Sequence, residues 1–242
     1  MREQKVGQIF LLVIEALFLV MALLLMIGVS LPLIDMESVV WGEYMWCIII
    51  LIYVITKHFK EMPLSIFGLS IFTLLINLGL TRITFSNLDN EQQLPIASLF
   101  SRLLCFGSFV SGLIFIVFLL VIPFVFIPKV SKMIKPYIQR GPNASETGER
   151  DFWADIEGAM KFLFFTVITT TIIAIANVAG ITGVEMFMHN KSWLEAFKTS
   201  TLLTSGNTPL FVIPLLLNML SIAVFAHNCK EIGLNTINRS ST

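Results

Sequence analysis

Six long apolar runs constrain the fold of this chain more than any other feature, and they cover residues 8–31, 39–56, 63–83, 97–127, 162–186 and 208–227. About 20 consecutive apolar residues cross the roughly 30 Å hydrocarbon layer of a bilayer as a helix. Only 13% of the residues are charged, whereas soluble domains usually have about 25%. We therefore expect an all-α integral membrane protein with about six transmembrane helices, in a bacterial inner or plasma membrane.

The basic residues predict the orientation of these helices, because cytoplasmic loops collect Lys and Arg. If six spans follow a cytoplasmic N-terminus, only Arg82, Arg102, Lys191 and Lys198 of the 16 basic residues fall on the outer side. This bias predicts that both termini lie in the cytoplasm.

The fourth run is longer than one crossing needs and contains Pro123, which predicts a tilt or kink near its end. Beyond it, Lys129, Lys132 and Lys135 share one helical side, as in a helix at an anionic lipid surface. Gly141 and Pro142 predict a break before an acidic, aromatic stretch. The predicted organisation is membrane helices 1–4 in residues 1–127, a cytoplasmic amphipathic and charged connector in 128–161, and membrane helices 5 and 6 in 162–242. The connector either solvates the loop and controls topology or docks a cytoplasmic partner.

Sequence motifs for catalysis and for cofactor or metal binding are absent: the chain has no H-E-x-x-H, Walker or G-x-G-x-x-G motif. The three cysteines form no C-x-x-C pair. The net charge is zero and the basic residues are scattered, unlike the basic surface of a nucleic-acid-binding protein. We expect neither an enzyme nor a nucleic-acid-binding protein.

Polar residues inside the apolar runs are costly in a membrane and are therefore the functional candidates. They include Glu15 in the first run, Asn77 in the third and Asn218 in the sixth. Glu15 either pairs with a buried partner or handles protons or cations. We expect Arg102 to pair with Glu43 or Glu185.

The fifth run places Thr166, Thr170, Asn177 and Gly180 on one helical side. One interpretation is a tightly packed central helix whose hydroxyls bond its own carbonyls. The other is a polar helix that lines a transport path.

The segment 193–208 predicts an outer half-helix of about 16 Å, followed by Thr204, Ser205, Gly206 and Asn207. Together with Phe197, over about a dozen residues, the segment resembles the pore loops of the potassium channel and transporter superfamily. It lacks the aromatic residue that follows the filter glycine in that family. The resemblance implies a re-entrant loop; the alternatives are an interfacial helix on the outer membrane surface and a loop packed on a partner.

Two functions fit these features. The first is a transport or ion-conducting component whose helices 5 and 6 line the path. The second is a non-catalytic anchoring or assembly subunit of a larger membrane complex. Since the chain has no soluble module of its own, we expect it to form a homo-oligomer or to associate with other membrane subunits.

Overall fold

The computed structural model describes residues 36–55, 62–86, 88, 95–106, 108–139 and 147–240, together with seven residues between 13 and 24. Most of the first apolar run, including Glu15, lies outside the described residues.

The described part of the chain folds into helices, which confirms the all-α class. These helices are α1 (Met36–Ile55), α2 (Met62–Ser86), α3 (Pro95–Cys105), α4 (Phe109–Gln139), α5 (Thr147–Phe187) and α6 (Trp193–Ser240).

Four helical stretches within the described residues are long and apolar enough to cross a membrane: Met62–Ser86, Phe109–Met133, Ala154–Phe187 and Trp193–Asn228. They correspond to predicted runs three to six, with different ends. Helix α1 has 20 residues and covers predicted run two.

The fourth apolar run does not form one helix, so this part of the prediction is wrong. The chain turns at Phe106, which has a φ of 51°, and its amide donates a hydrogen bond to the carbonyl oxygen of Arg102 at 3.2 Å. This left-handed cap ends α3, and α4 begins at Phe109. Apolar stretches lie on both sides of the turn, so a hydropathy profile does not reveal it.

The predicted half-helix at 193–208 is also corrected, because Trp193–Ser240 forms one continuous helix. Pro209 and Pro214 lie inside α6 and do not end it. Thr204, Ser205 and Thr208 are buried. A continuous helix satisfies buried backbone groups that a loop would leave open, so neither a re-entrant loop nor a surface helix forms here.

The region predicted as a connector, 128–161, is helical where it is described. Helix α4 continues through Pro128 and Pro136 to Gln139, and α5 begins at Thr147. The predicted break at 141–145 lies outside the described residues.

Helix α6 is the centre of the bundle, since it contacts each of the other five helices. Its buried apolar side chains include Phe211, Leu215 and Phe225. Buried polar side chains occur beside them on α2, α5 and α6. This combination places a polar site inside an otherwise apolar bundle.

Candidate functional site

A row of polar side chains runs along one side of α2, and we call it the polar stripe. It consists of Ser70, Thr73, Asn77, Thr81 and Thr84. The spacing of three and four residues keeps them on one helical side. From the first to the last the row extends about 21 Å, which is most of the thickness of a hydrocarbon layer.

The hydroxyl groups of the polar stripe bond the backbone of α2 itself. Ser70, Thr81 and Thr84 each donate to the carbonyl oxygen four residues earlier, at 2.7 to 2.9 Å, and Thr73 Oγ1 lies 3.0 Å from the carbonyl oxygen of Leu69. In Thr81 and Thr84 these bonds use the hydroxyl protons and leave oxygen lone pairs free to accept from other helices.

Three other helices contact the polar stripe through polar side chains. On α5, the amide nitrogen of Asn177 donates to Thr81 Oγ1 at 2.9 Å. On α6, the amide nitrogen of Asn207 donates to Thr84 Oγ1 at 2.8 Å. The hydroxyl of Thr73 bonds the carboxylate of Glu43 on α1. The stripe therefore connects α1, α5 and α6 around α2.

Asn218 on α6 makes longer contacts at the Ser70 end of the stripe. Its amide nitrogen lies 3.4 Å from the carbonyl oxygen of Ile66 and 3.5 Å from Ser70 Oγ. Asn218 is buried, and its Oδ1 atom has no hydrogen-bond partner among the described residues. The contact thus leaves an acceptor atom free at this end of the stripe.

Several buried polar atoms in and beside the stripe have no protein partner among the described residues. They are Glu43 Oε2, both amide atoms of Asn77, Thr204 Oγ1 and Asn218 Oδ1. Each such group costs about 1 to 3 kcal/mol relative to a satisfied one. Polar groups of this kind usually bind ordered water or an ion in native proteins.

Glu43 is the only ionisable residue among the described side chains that bond the stripe, and it is fully buried. Beside it on α1, the hydroxyl of Tyr44 donates to the carbonyl oxygen of Pro209 at 3.2 Å. The thiol of Cys47 lies 3.9 Å from the carbonyl oxygen of Pro214. These contacts fix α1 against α6 and hold the carboxylate inside the bundle, where an unpaired acid is costly and is a functional candidate by default.

The polar side predicted for the fifth run divides between two roles. Thr166 and Thr170 donate to carbonyl oxygens of α5 itself, at 3.1 and 2.9 Å, as the packing interpretation expected. A Cβ atom added at Gly180 would lie 2.7 Å from Phe85 Cζ, so this glycine permits close contact between α5 and α2. Among these four residues, Asn177 alone bonds the stripe.

The predicted pore-loop residues also divide between contacts within or between helices and contact with the stripe. Ser205 donates to the carbonyl oxygen of Leu202 at 2.8 Å. A Cβ atom added at Gly206 would lie 2.5 Å from the carbonyl oxygen of Ala97 on α3. Asn207 bonds Thr84 of the stripe. Thr204, three residues earlier on α6, is buried.

The predicted pairing of Arg102 is wrong. The carboxylate of Glu185 bonds His189 Nδ1 at 3.1 Å and Lys191 Nζ at 2.9 Å, and that of Glu43 bonds Thr73. Arg102 is exposed. His189 and Lys191, which follow α5, both bond Glu185 Oε2, and burial within the bundle separates Glu43 from the surface.

Sequence reasoning missed Glu43 as a site residue, together with the four hydroxyl residues of the stripe. The signal was present: residues 70, 73, 77, 81 and 84 repeat at helical spacing in an apolar helix. Within the described residues, no group of three or more His, Cys, Asp or Glu is placed to hold a metal ion.

The fold and the stripe define an all-helical protein with membrane-length apolar helices around a polar centre. The chain is similar to the flagellar biosynthesis protein FlhA of Buchnera aphidicola subsp. Schizaphis graminum, with 27% identity over 202 residues, which are 70% of this chain and 29% of that protein. It is also similar to FlhA of Buchnera aphidicola subsp. Baizongia pistaciae, with 25% identity over 191 residues, 66% of this chain and 27% of that protein.

The chain thus spans less than a third of the length of these two relatives. No protein-family model matches the chain. No solved structure matches it significantly.

Proposed function

We propose that this protein is a multi-pass component of a membrane transport apparatus, and that the polar stripe is its path for protons or small cations. The observation that supports this proposal best is the row of buried polar atoms that have no hydrogen-bond partner among the described residues, from Asn218 past Glu43 to Asn77. At membrane depth, polar groups that lack hydrogen-bond partners in the protein are tolerated where they contact water or ions.

The charge at the stripe favours a cation. Among the described residues, Glu43 is the ionisable one that bonds the stripe, and the remaining groups are hydroxyls and amides, whose oxygens can coordinate a cation or hold water. The proposed path therefore lies along α2, with α1, α5 and α6 around it, instead of between helices 5 and 6 alone.

A second candidate is a non-catalytic subunit that anchors or assembles a larger membrane complex. The similarity to proteins named for flagellar biosynthesis favours it. So does a groove of about 720 Å³ between the start of α2 and α5, lined by Phe67, Phe162 and Asp155 among others. This groove adjoins the predicted connector, where a cytoplasmic partner would dock. Under either function we propose association with further copies or with other membrane subunits.

The test of transport is ion flux in vesicles that contain the purified protein. Potassium leaving the vesicles through valinomycin makes the interior negative and drives proton entry, which a trapped pH-sensitive dye reports. We expect Glu43→Gln to lower the flux at least about tenfold, the factor that about 1.4 kcal/mol of lost cation stabilisation gives. Gln keeps the size of the side chain and can still accept from Thr73.

The matched control is Glu157→Gln, since Glu157 pairs with Lys161 at a position where both side chains are exposed. This variant should conduct like the wild type. Absence of flux from folded wild-type protein would contradict the transport proposal. If that same protein were recovered only together with other membrane polypeptides, the assembly function would be favoured instead.

A further inference from the structure

Helix α4 has one side that packs on the bundle and an opposite, outer side that is exposed. The packed side consists of buried apolar residues: Ile116, Leu119, Ile127 and Val130. The outer side consists of apolar residues that recur every three or four positions and are half or more exposed: Ile114, Phe118, Val121 and Val125. Because α4 contains a stretch long and apolar enough to cross a membrane, its outer side is suited to contact lipid.

The outer side of α4 ends in three exposed lysines, Lys129, Lys132 and Lys135. Lys132 lies seven residues beyond Val125, which is two turns along the same side. Lys129 and Lys135 flank it at about 60° on either side of the helix axis. Helix α4 has no acidic residue, and no acidic residue in the described part of the chain pairs with these lysines. Their positive charge is therefore available to a ligand outside the bundle.

The length of α4 places the lysines at the edge of the hydrocarbon layer. Residues 109–128 contain no charged side chain, and these 20 residues form about 30 Å of helix, the thickness of that layer. Lys129 follows directly, and Lys132 and Lys135 lie about 4.5 and 9 Å farther along the helix. Since the head groups add about 5 to 7 Å on each side of a bilayer, the three lysines span the depth of the head-group region.

Helices α4 and α5 run antiparallel, so the end of α4 lies beside the start of α5. Phe124 of α4 contacts Phe164 of α5, with ring centroids 6.3 Å apart. Toward the other end of the bundle, Phe109 of α4 contacts Phe197 of α6, with centroids 5.4 Å apart. Helix α6 follows the end of α5 after a short turn. The contact between Phe124 and Phe164 therefore compares the levels at which the two helices become charged.

Helix α5 becomes charged at the same level as α4. Its residues 162–184 contain no charged side chain. Lys161, three residues from Phe164, is exposed and pairs with Glu157. Lys129 is five residues from Phe124 on α4, so both helices become charged within about 8 Å of the contact between the two rings. Two neighbouring helices thus indicate one membrane boundary at the level of Lys129.

We propose that Lys129, Lys132 and Lys135 form a binding site for the head groups of anionic phospholipids. Lysines at this depth attract the negative surface of a leaflet, by about fivefold per residue. The apolar outer side at Val121 and Val125 contacts the acyl chains of the same lipids. The sequence predicts these lysines on a helix that lies at the lipid surface, whereas in the structure they continue a membrane-length helix. This inference does not depend on ion transport.

The test uses single cysteines that carry a fluorescent bimane label, in protein whose native cysteines are replaced by alanine. Val125→Cys lies one turn before Lys129. Ile114→Cys, on the same outer side and farther from the lysines, is the matched control. Each protein is placed in phosphatidylcholine nanodiscs that contain a small fraction of either phosphatidylglycerol or phosphatidylcholine with a spin-labelled acyl chain.

We expect spin-labelled phosphatidylglycerol to quench position 125 at least about twofold more than spin-labelled phosphatidylcholine. The triple substitution of the lysines by glutamine should abolish this preference, and their triple substitution by arginine should retain it. Salt at about 1 M, where the Debye length is about 3 Å, should abolish it as well. Quenching at position 114 should be the same in both triple variants, which shows that they are folded and embedded.

Equal quenching of position 125 by the two lipids in the wild-type background would overturn the proposal. A preference that persists in the triple glutamine variant would also overturn it, because other groups would then attract the lipid. The third contrary outcome is that neither lipid quenches position 125 while both quench position 114. A second copy or another protein would then cover this end of α4.

Discussion

Gly206 on α6 and Ala97 on α3 are in backbone contact: a Cβ atom at position 206 would lie 2.5 Å from the Ala97 carbonyl oxygen. Neither group can rotate away, since each belongs to a helical backbone. The glycine that resembled a pore-loop residue in the sequence is therefore a packing residue in the structure.

We predict that Gly206→Ala destabilises the protein by about 1 to 3 kcal/mol, as overpacking of a rigid contact does. Thermal unfolding in detergent measures this. The control is Gly183→Ala on α5, where an added Cβ meets nothing within 4 Å. There alanine should stabilise the helix by about 0.5 to 1 kcal/mol. Equal melting temperatures for the two variants would contradict the contact.

Gly180 offers a graded comparison, because its near neighbour is the tip of a side chain. Phe85 Cζ lies 2.7 Å from the added Cβ, and a phenyl ring can shift where a backbone carbonyl cannot. We predict that Gly180→Ala costs less than Gly206→Ala, while Gly180→Leu costs about 1 to 3 kcal/mol. The same unfolding measurement decides it, and a larger loss for Gly180→Ala than for Gly206→Ala would refute the ranking.

The sequence predicted the helical class and the position of most apolar helices, since long apolar runs have few alternatives in the folded state. It also named Asn177 and Asn218, because amides inside such runs are costly, and Asn207 as a residue of the predicted pore loop. The turn at Phe106 escaped prediction, as a left-handed cap changes the backbone and leaves hydropathy unaffected. The segment from Thr204 to Asn207 was misleading in the opposite sense: it suggested a helix end where tertiary packing keeps α6 continuous.

The role of Glu43 could not be derived from its neighbours in the sequence. Its contact with Thr73 joins residues on different helices, and its burial results from α1 packing on α6. An acid four residues inside a predicted run could equally face the membrane surface. The relevant pattern was on α2, where hydroxyl residues at helical spacing indicated a polar side that another helix had to cover.

The predicted orientation is testable with an impermeant thiol reagent applied to intact cells. In a protein without native cysteines, Asn190→Cys should react and Asn143→Cys should not, because the basic residues place position 143 in the cytoplasm. Asn190 lies in the exposed turn between α5 and α6. Reaction of both positions after the cells are permeabilised is the control. Labelling of position 143 alone in intact cells would invert the topology.

A comparison of Asn77 with Asn177 distinguishes a functional amide from a structural one. Both amide atoms of Asn77 are buried without a partner among the described residues, whereas Asn177 donates to Thr81 at 2.9 Å. Leu has a similar branched shape and no polar atoms. Asn77→Leu should therefore raise the melting temperature, because it removes unsatisfied groups that cost about 1 to 3 kcal/mol. Asn177→Leu should lower it, because an interhelical hydrogen bond worth about 0.6 to 2 kcal/mol is lost.

If the polar stripe conducts, the more stable Asn77→Leu variant should also lose ion flux in vesicles, since an apolar side chain interrupts the row of polar atoms. A gain in stability together with a loss of activity is the signature of a residue retained for function. Thermal unfolding and vesicle flux on the same preparations measure both quantities. Destabilisation by Asn77→Leu would show that the amide has bonding partners in the membrane, and unchanged flux in a stabilised variant would remove Asn77 from the proposed path.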